Sequence, residues 1–205
     1  MSLWPAAPPA SLGTFLEQSA ALHHHLCPRQ VLGVRMGLLA AERLALFLPQ
    51  SDKRLFTFVE TDGCFADGVS VTTGCWFGRR TLRLMDYGKV AATFVDTATG
   101  RALRVWPHPE ARARAVRYAP TAASRWHAQL HGYQTMPTDE LLRCEPVALM
   151  ASLEAIIGQP GLHVLCDECG EEVMNGREVI MEGRVMCRQC IGVSPYAERP
   201  AETIT

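Results

Sequence analysis

The sequence predicts an α+β fold in two parts: an N-terminal domain of helices packed on an antiparallel sheet, and a small C-terminal treble-clef or ribbon-like zinc finger. Three observations predict it. Apolar residues recur at helical spacing through residues 12–49. Short β-branched and aromatic runs, separated by turn signals, fill residues 54–106. Two C-x-x-C pairs, Cys166 with Cys169 and Cys187 with Cys190, stand 17 residues apart near the C-terminus. The expected boundaries are a mobile arm over 1–10, the α+β domain over 11–158, the finger over 162–193 and a tail over 194–205.

Ser11 is placed to cap a first helix on which Leu12, Phe15, Leu16, Ser19 and Leu22 share a face. Three histidines then lead to Cys27 and Pro28, and proline suits the first turn of a second helix. Gly33 and Gly37 lie on one face of that helix and permit close packing. Residues 54–60 read as a strand. A loop leads to Cys64 and a short helix through Thr73, followed by a turn over 74–78. Strands are expected over 81–85, 90–95 and 103–106, with hairpin turns over 86–89 and 97–100. The pattern from Pro109 to Gly158 is mostly helical, so Cys144 reads as helix core. Residues 158–161 read as a linker, and Glu182 with Gly183 as the turn of a hairpin inside the finger.

A chain of 205 residues can hold one core and a small module. Its 48% hydrophobic and 20% charged residues are ordinary for a soluble globular protein. No apolar run has the length of a membrane span, and the first residues do not read as a signal peptide. With C-x-x-C pairs and no export signal, a reducing cytoplasm is expected. A net charge of −1 gives no bulk reason to bind nucleic acid. Residues 101–127 carry six arginines against Glu110, while the finger carries six acids against three arginines. The basic stretch therefore reads as a solvated helix face, or as a surface that docks on the finger.

The two C-x-x-C pairs fit structural zinc better than two disulfides. One tight turn presents two sulfurs, and the second pair completes a tetrahedron. Such a closed site leaves no open position for chemistry. The candidate chemistry lies instead at His25, Cys27, Glu60, Cys64, Asp67 and Cys75, all at loop or element ends. A cysteine at a helix start gains from the unpaired N–H groups and the positive end of the dipole, which favour thiolate. Thiolate and imidazole are also ligands that zinc and similar metals choose. Cys27 and Cys64 are thus candidate nucleophiles or ligands, and His25 a ligand or base. Glu60 and Asp67 are candidate acid–base groups. His23 and His24 read as exposed helix-end residues.

The run from Leu22 to Pro28 resembles the F-H-G-H-x-C-P-G signature of the FmdE family of formylmethanofuran dehydrogenase-like proteins. The similarity extends to Glu60, Cys64, Asp67, the 74–78 turn and the 86–89 segment, and to the C-terminal finger. His24 and Arg29 stand where the signature has glycine, and Ser70 where glutamine is usual. The resemblance implies an α+β domain, often an intertwined homodimer, with a site around the histidines and cysteines. It also implies an accessory protein that handles a metal or cofactor for a molybdenum or tungsten enzyme of one-carbon metabolism. Beside it stand a metal- or thiol-dependent enzyme acting on a small carbonyl or one-carbon substrate, and a zinc-finger regulator. In this reading zinc fills the finger, and His25, Cys27 and Cys64 hold a second metal or form a reactive thiol centre, with Cys75 nearby.

Overall fold

The structure is a computed structural model describing residues 11–150, 152–153, 157, 161–194 and 196. The expected mobile arm, most of the 158–161 linker and nearly all of the 194–205 tail lie outside the described residues. The chain divides after Met150 into two compact units.

The first unit is built around α2 (Pro28–Leu44), whose buried residues occur on almost every side of the helix. A helix apolar all round belongs in a core. It packs against α1 (Leu12–His23), α3 (Cys64–Thr73) and α5 (Arg125–Thr135), and against the sheet at β3 (Ala92–Asp96) and β4 (Ala102–Pro107). Ser11 caps α1 by accepting the Thr14 N–H. The core joins Val31, Val34 and Met36 to Phe65, Val69, Phe94 and Val105, all fully buried. Each such side chain contributes about 1.5–3 kcal/mol relative to exposure.

The closest packing is between α2 and α3. A Cβ on Gly33 would lie 2.3 Å from the Phe65 carbonyl oxygen, and one on Gly68 would lie 2.4 Å from that of Gln30. A Cβ on Gly37 would meet the Thr72 side chain at 2.7 Å. These glycines let the two helix backbones touch inside one chain.

The sheet has five strands in the order β2-β1-β3-β4-β5, adding β1 (Leu55–Val59), β2 (Leu82–Leu84) and β5 (Leu142–Val147). It is mixed rather than purely antiparallel, because β2 runs parallel to β1. Two expectations are corrected here. Residues 86–89 do not turn a hairpin: β1 lies between β2 and β3, and the segment crosses over the end of β1. The N–H groups of Tyr87 and Lys89 both donate to the Glu60 carbonyl, at 3.0 and 3.1 Å. The stretch around Cys144 is strand β5, paired with β4, where Cys144 faces Val105. Its Pro146 is tolerated because β5 is an edge strand.

The arginine-rich stretch is neutralised within its own unit. Arg104 pairs with Glu60, Arg114 with Glu110 and Arg117 with Glu140. Arg101 donates to the Arg43 carbonyl at 2.8 Å. The second unit contains two hairpins, β6 (His163–Leu165) with β7 (Glu172–Met174) and β8 (Val179–Met181) with β9 (Arg184–Met186). Among the described residues no helix is long and apolar enough to cross a membrane.

Candidate thiol centre and zinc site

The turn between α1 and α2 is fixed by a buried glutamine. Gln30 accepts the Cys27 N–H at 2.7 Å and donates to the Ser19 carbonyl and hydroxyl at 2.9 and 3.0 Å. His24 ends α1 in the left-handed region, φ 63°. That conformation explains why glycine suits this position in the signature, and histidine is among the residues that tolerate it. The reversal turns His23 back toward α3.

The glycine-mediated contact sets the start of α3 beside the start of α2. Cys64 is the first residue of α3, and Asp67 lies one turn on. Between them stands His23. Its Nε2 is 3.1 Å from Cys64 Sγ, and its Nδ1 is 2.8 Å from Asp67 Oδ2. An ionised carboxylate only accepts, so Nδ1 carries the proton. Nε2 is then left with a lone pair facing the thiol. The three groups have the spacing of nucleophile, base and orienting acid. The His25 ring packs beside His23, 4.6 Å between centroids.

Burial, the neighbouring Cys27 thiol and the Asp67 carboxylate push the Cys64 thiol above its ordinary pKa. Its resting state at neutral pH is therefore a thiol, which needs a base to become a nucleophile. Cys27 and Cys64 both open onto a cavity of about 770 Å³. Trp126 and Tyr133 line it as well.

Three candidates stand elsewhere or in other company. Glu60 is buried, with both carboxylate oxygens held by Arg104 at 2.6 and 2.8 Å. It therefore braces β1 against β4. Cys75 is fully buried beyond the far end of α3, donating to the Leu55 carbonyl at 3.3 Å. Ten residues of α3 separate the two ends by about 15 Å, so Cys75 does not join the centre. The donor atoms of His25, Cys27 and Cys64 do not gather into a three-ligand set. Among the described residues the only such set is in the finger. His23, read from sequence as a helix-end residue, is the centre of the hydrogen-bonded array. The signal was available, since His23 aligns with the first histidine of the signature.

In the second unit the sulfurs of Cys166, Cys169, Cys187 and Cys190 lie within 4.8 Å of one another, with Cys169 and Cys187 at 4.0 Å. Zinc–sulfur bonds of about 2.3 Å in a tetrahedron require sulfurs about 3.8 Å apart, so the residues fit the ion. Backbone N–H groups, that of Cys169 foremost, bring the Cys166 thiol down to about 6, while the Cys187 thiol pushes Cys190 up. Four thiolates this close cannot all ionise without a cation between them, which a divalent ion supplies.

Comparison with known proteins gives four findings. A family model named FmdE and described as "Molybdenum formylmethanofuran dehydrogenase operon" matches residues 22–143. A second, described as "Prokaryotic dksA/traR C4-type zinc finger", matches residues 161–194. A probable S-adenosyl-L-methionine-binding protein of Archaeoglobus fulgidus is 34% identical over 108 residues, covering 51% of this chain and 30% of that protein. This chain thus spans about a third of that relative's length. An FmdE-like protein of tungsten formylmethanofuran dehydrogenase, from Syntrophus aciditrophicus, superposes with a TM-score of 0.61. The match covers 92% of this chain and 96% of that one, and at 24% identity the likeness is one of fold.

Proposed function

Because the chain belongs to the FmdE family through residues 22–143, we propose that it is a thiol-dependent enzyme acting on a small carbonyl compound. Cys64 is the nucleophile, His23 the general base and Asp67 the group that orients the imidazole. The observation that carries this reading is an imidazole held from both sides, 3.1 Å from the thiol and 2.8 Å from the carboxylate. Sγ attacks the carbonyl carbon, and the π pair moves to oxygen. The thiol proton passes to Nε2 of His23 and then to that oxygen, giving a hemithioacetal. Reversal restores thiol and carbonyl. Because burial keeps Cys64 protonated, proton removal and attack must act together. The setting we infer is a reducing cytoplasm, since all eight cysteines are free thiols.

The test is the rate of Cys64 alkylation by iodoacetamide at pH 7, read by peptide mass spectrometry on the zinc-loaded chain. General-base assistance contributes about 10²–10⁴-fold. His23→Asn should slow labelling by at least about ten-fold, the low side of that range. An unchanged rate overturns the assignment.

The operon for which the family is named, and the tungsten enzyme named for the Syntrophus protein, favour a second reading. It is an accessory protein that passes a metal or cofactor to a molybdenum or tungsten one-carbon enzyme. Here Cys27, Cys64 and the histidines would be transfer ligands. Elemental analysis separates the two. The thiol reading expects one zinc per chain, in the finger. A second metal equivalent, lost in Cys27→Ala, moves the conclusion to metal handling.

A further inference from the structure

Three cations line the cavity onto which Cys64 opens: Arg29, Lys89 and Arg112. Among the described residues no aspartate or glutamate lines it. The nearby carboxylates are committed elsewhere, Asp67 to His23, Glu60 to Arg104 and Glu110 to Arg114. Among the described residues none of the three cations has a carboxylate within ion-pairing distance. Like charges around one low-dielectric cleft repel each other, and a bound anion relieves that repulsion.

The backbone adds to the same sign. Pro28, Cys64 and Ala111 all line the cavity, and each is the first residue of its helix: α2, α3 and α4 (Ala111–Tyr118). Helix starts carry partial positive charge and favour anions. Three different segments therefore bring positive potential to one place. Lys89 is held there by the N–H bond of its own backbone to the Glu60 carbonyl. Arg29 stands where the family signature has glycine, so this part of the charge is a departure of this chain.

We propose that the compound Cys64 attacks is anionic: a small carbonyl compound bearing a carboxylate or phosphate, whose charge Arg29, Lys89 and Arg112 hold while its carbonyl carbon lies over Sγ. The inference rests on the thiol reading above for the reaction, and on the cleft alone for the charge. It also sets the cleft against a sulfonium cation of the kind named for the Archaeoglobus relative.

Two reagents with the same warhead test it on the full zinc-loaded chain. Iodoacetate is an anion and iodoacetamide is neutral. The ratio of their rates at Cys64, divided by the ratio for N-acetylcysteine amide, reports the preference for charge. It should exceed ten, and fall toward one in Lys89→Gln, Arg112→Gln and Arg29→Gln. Iodoacetamide is the internal reference, so a damaged fold lowers both rates while loss of anion recognition lowers only the ratio. Protection of Cys64 from iodoacetamide by inorganic phosphate or by acetate then distinguishes the two anion types. A wild-type ratio near one overturns the inference, and the thiol reading survives if labelling still depends on His23. A high ratio without His23 dependence upholds the anion site and overturns the base.

Discussion

His23 and Cys64 form a proton-sharing pair in which the thiol is held above its ordinary pKa by burial first and by Cys27 next. The sign of the pH effect follows. A thiol whose folded pKa exceeds its unfolded value of about 8.5 resists ionisation in the fold. Its contribution to stability is complete below that value and is lost as pH rises through the folded pKa. Wild type should therefore lose stability relative to Cys64→Ala above about pH 8.5, measured as the difference in urea midpoints between pH 7 and 10. A constant difference across that range contradicts the raised pKa. At this scale the sequence was only partly legible. Cys27, Cys64 and Asp67 could be marked because cysteines and acids at element ends are chemically conspicuous. His23 could not be told from a solvated helix-end residue, because its role depends on a left-handed residue after it and on a helix more than forty residues away.

At the scale of elements, the α2–α3 crossing aligns the chemistry. Gly33→Ala would place a Cβ 2.3 Å from a backbone oxygen, and neither helix has a flexible side chain there to yield. Overpacking of this kind costs about 1–3 kcal/mol. Denaturant unfolding should show that loss, and iodoacetamide labelling of Cys64 should slow as His23 and Cys64 separate. Full stability with unchanged labelling would mean the helices can part without consequence. Helix periodicity and the Cys64–Thr73 segment were readable because local spacing determines them. The parallel β2 and the edge strand β5 were not. A three-residue strand such as β2 has no period of its own, and β5 alternates over too few residues to stand out from a helical reading.

At the scale of the molecule, the four-cysteine unit carries its own stabilisation. Zinc in such modules contributes about 10–16 kcal/mol, more than hairpins of three-residue strands can replace by burial. Cys169→Ser should open residues 163–191 to protease while residues 11–150 stay protected. An intact finger in that variant would refute the dependence. We propose that the chain is a homodimer, as the family resemblance implies. Gly33 and Gly37 do not support this, since both are occupied by α3 in the same chain. Light scattering should give about twice 22.6 kDa, and a mass near 22.6 kDa at micromolar concentration rules the dimer out.

Glu60 shows how a mutational scan of this protein could mislead. Its carboxylate is locked to Arg104, and its carbonyl anchors the segment that carries Lys89. Replacing it by glutamine keeps the anchor but leaves a guanidinium without its counter-charge next to a cleft already rich in positive charge. Turnover should drop sharply, and Glu60 would be scored as an acid or base. The discriminating readout is the shape of the pH–rate curve. For a keystone that only holds others in place, the curve falls in height and keeps both its limbs. For a group that exchanges protons with substrate, one limb disappears.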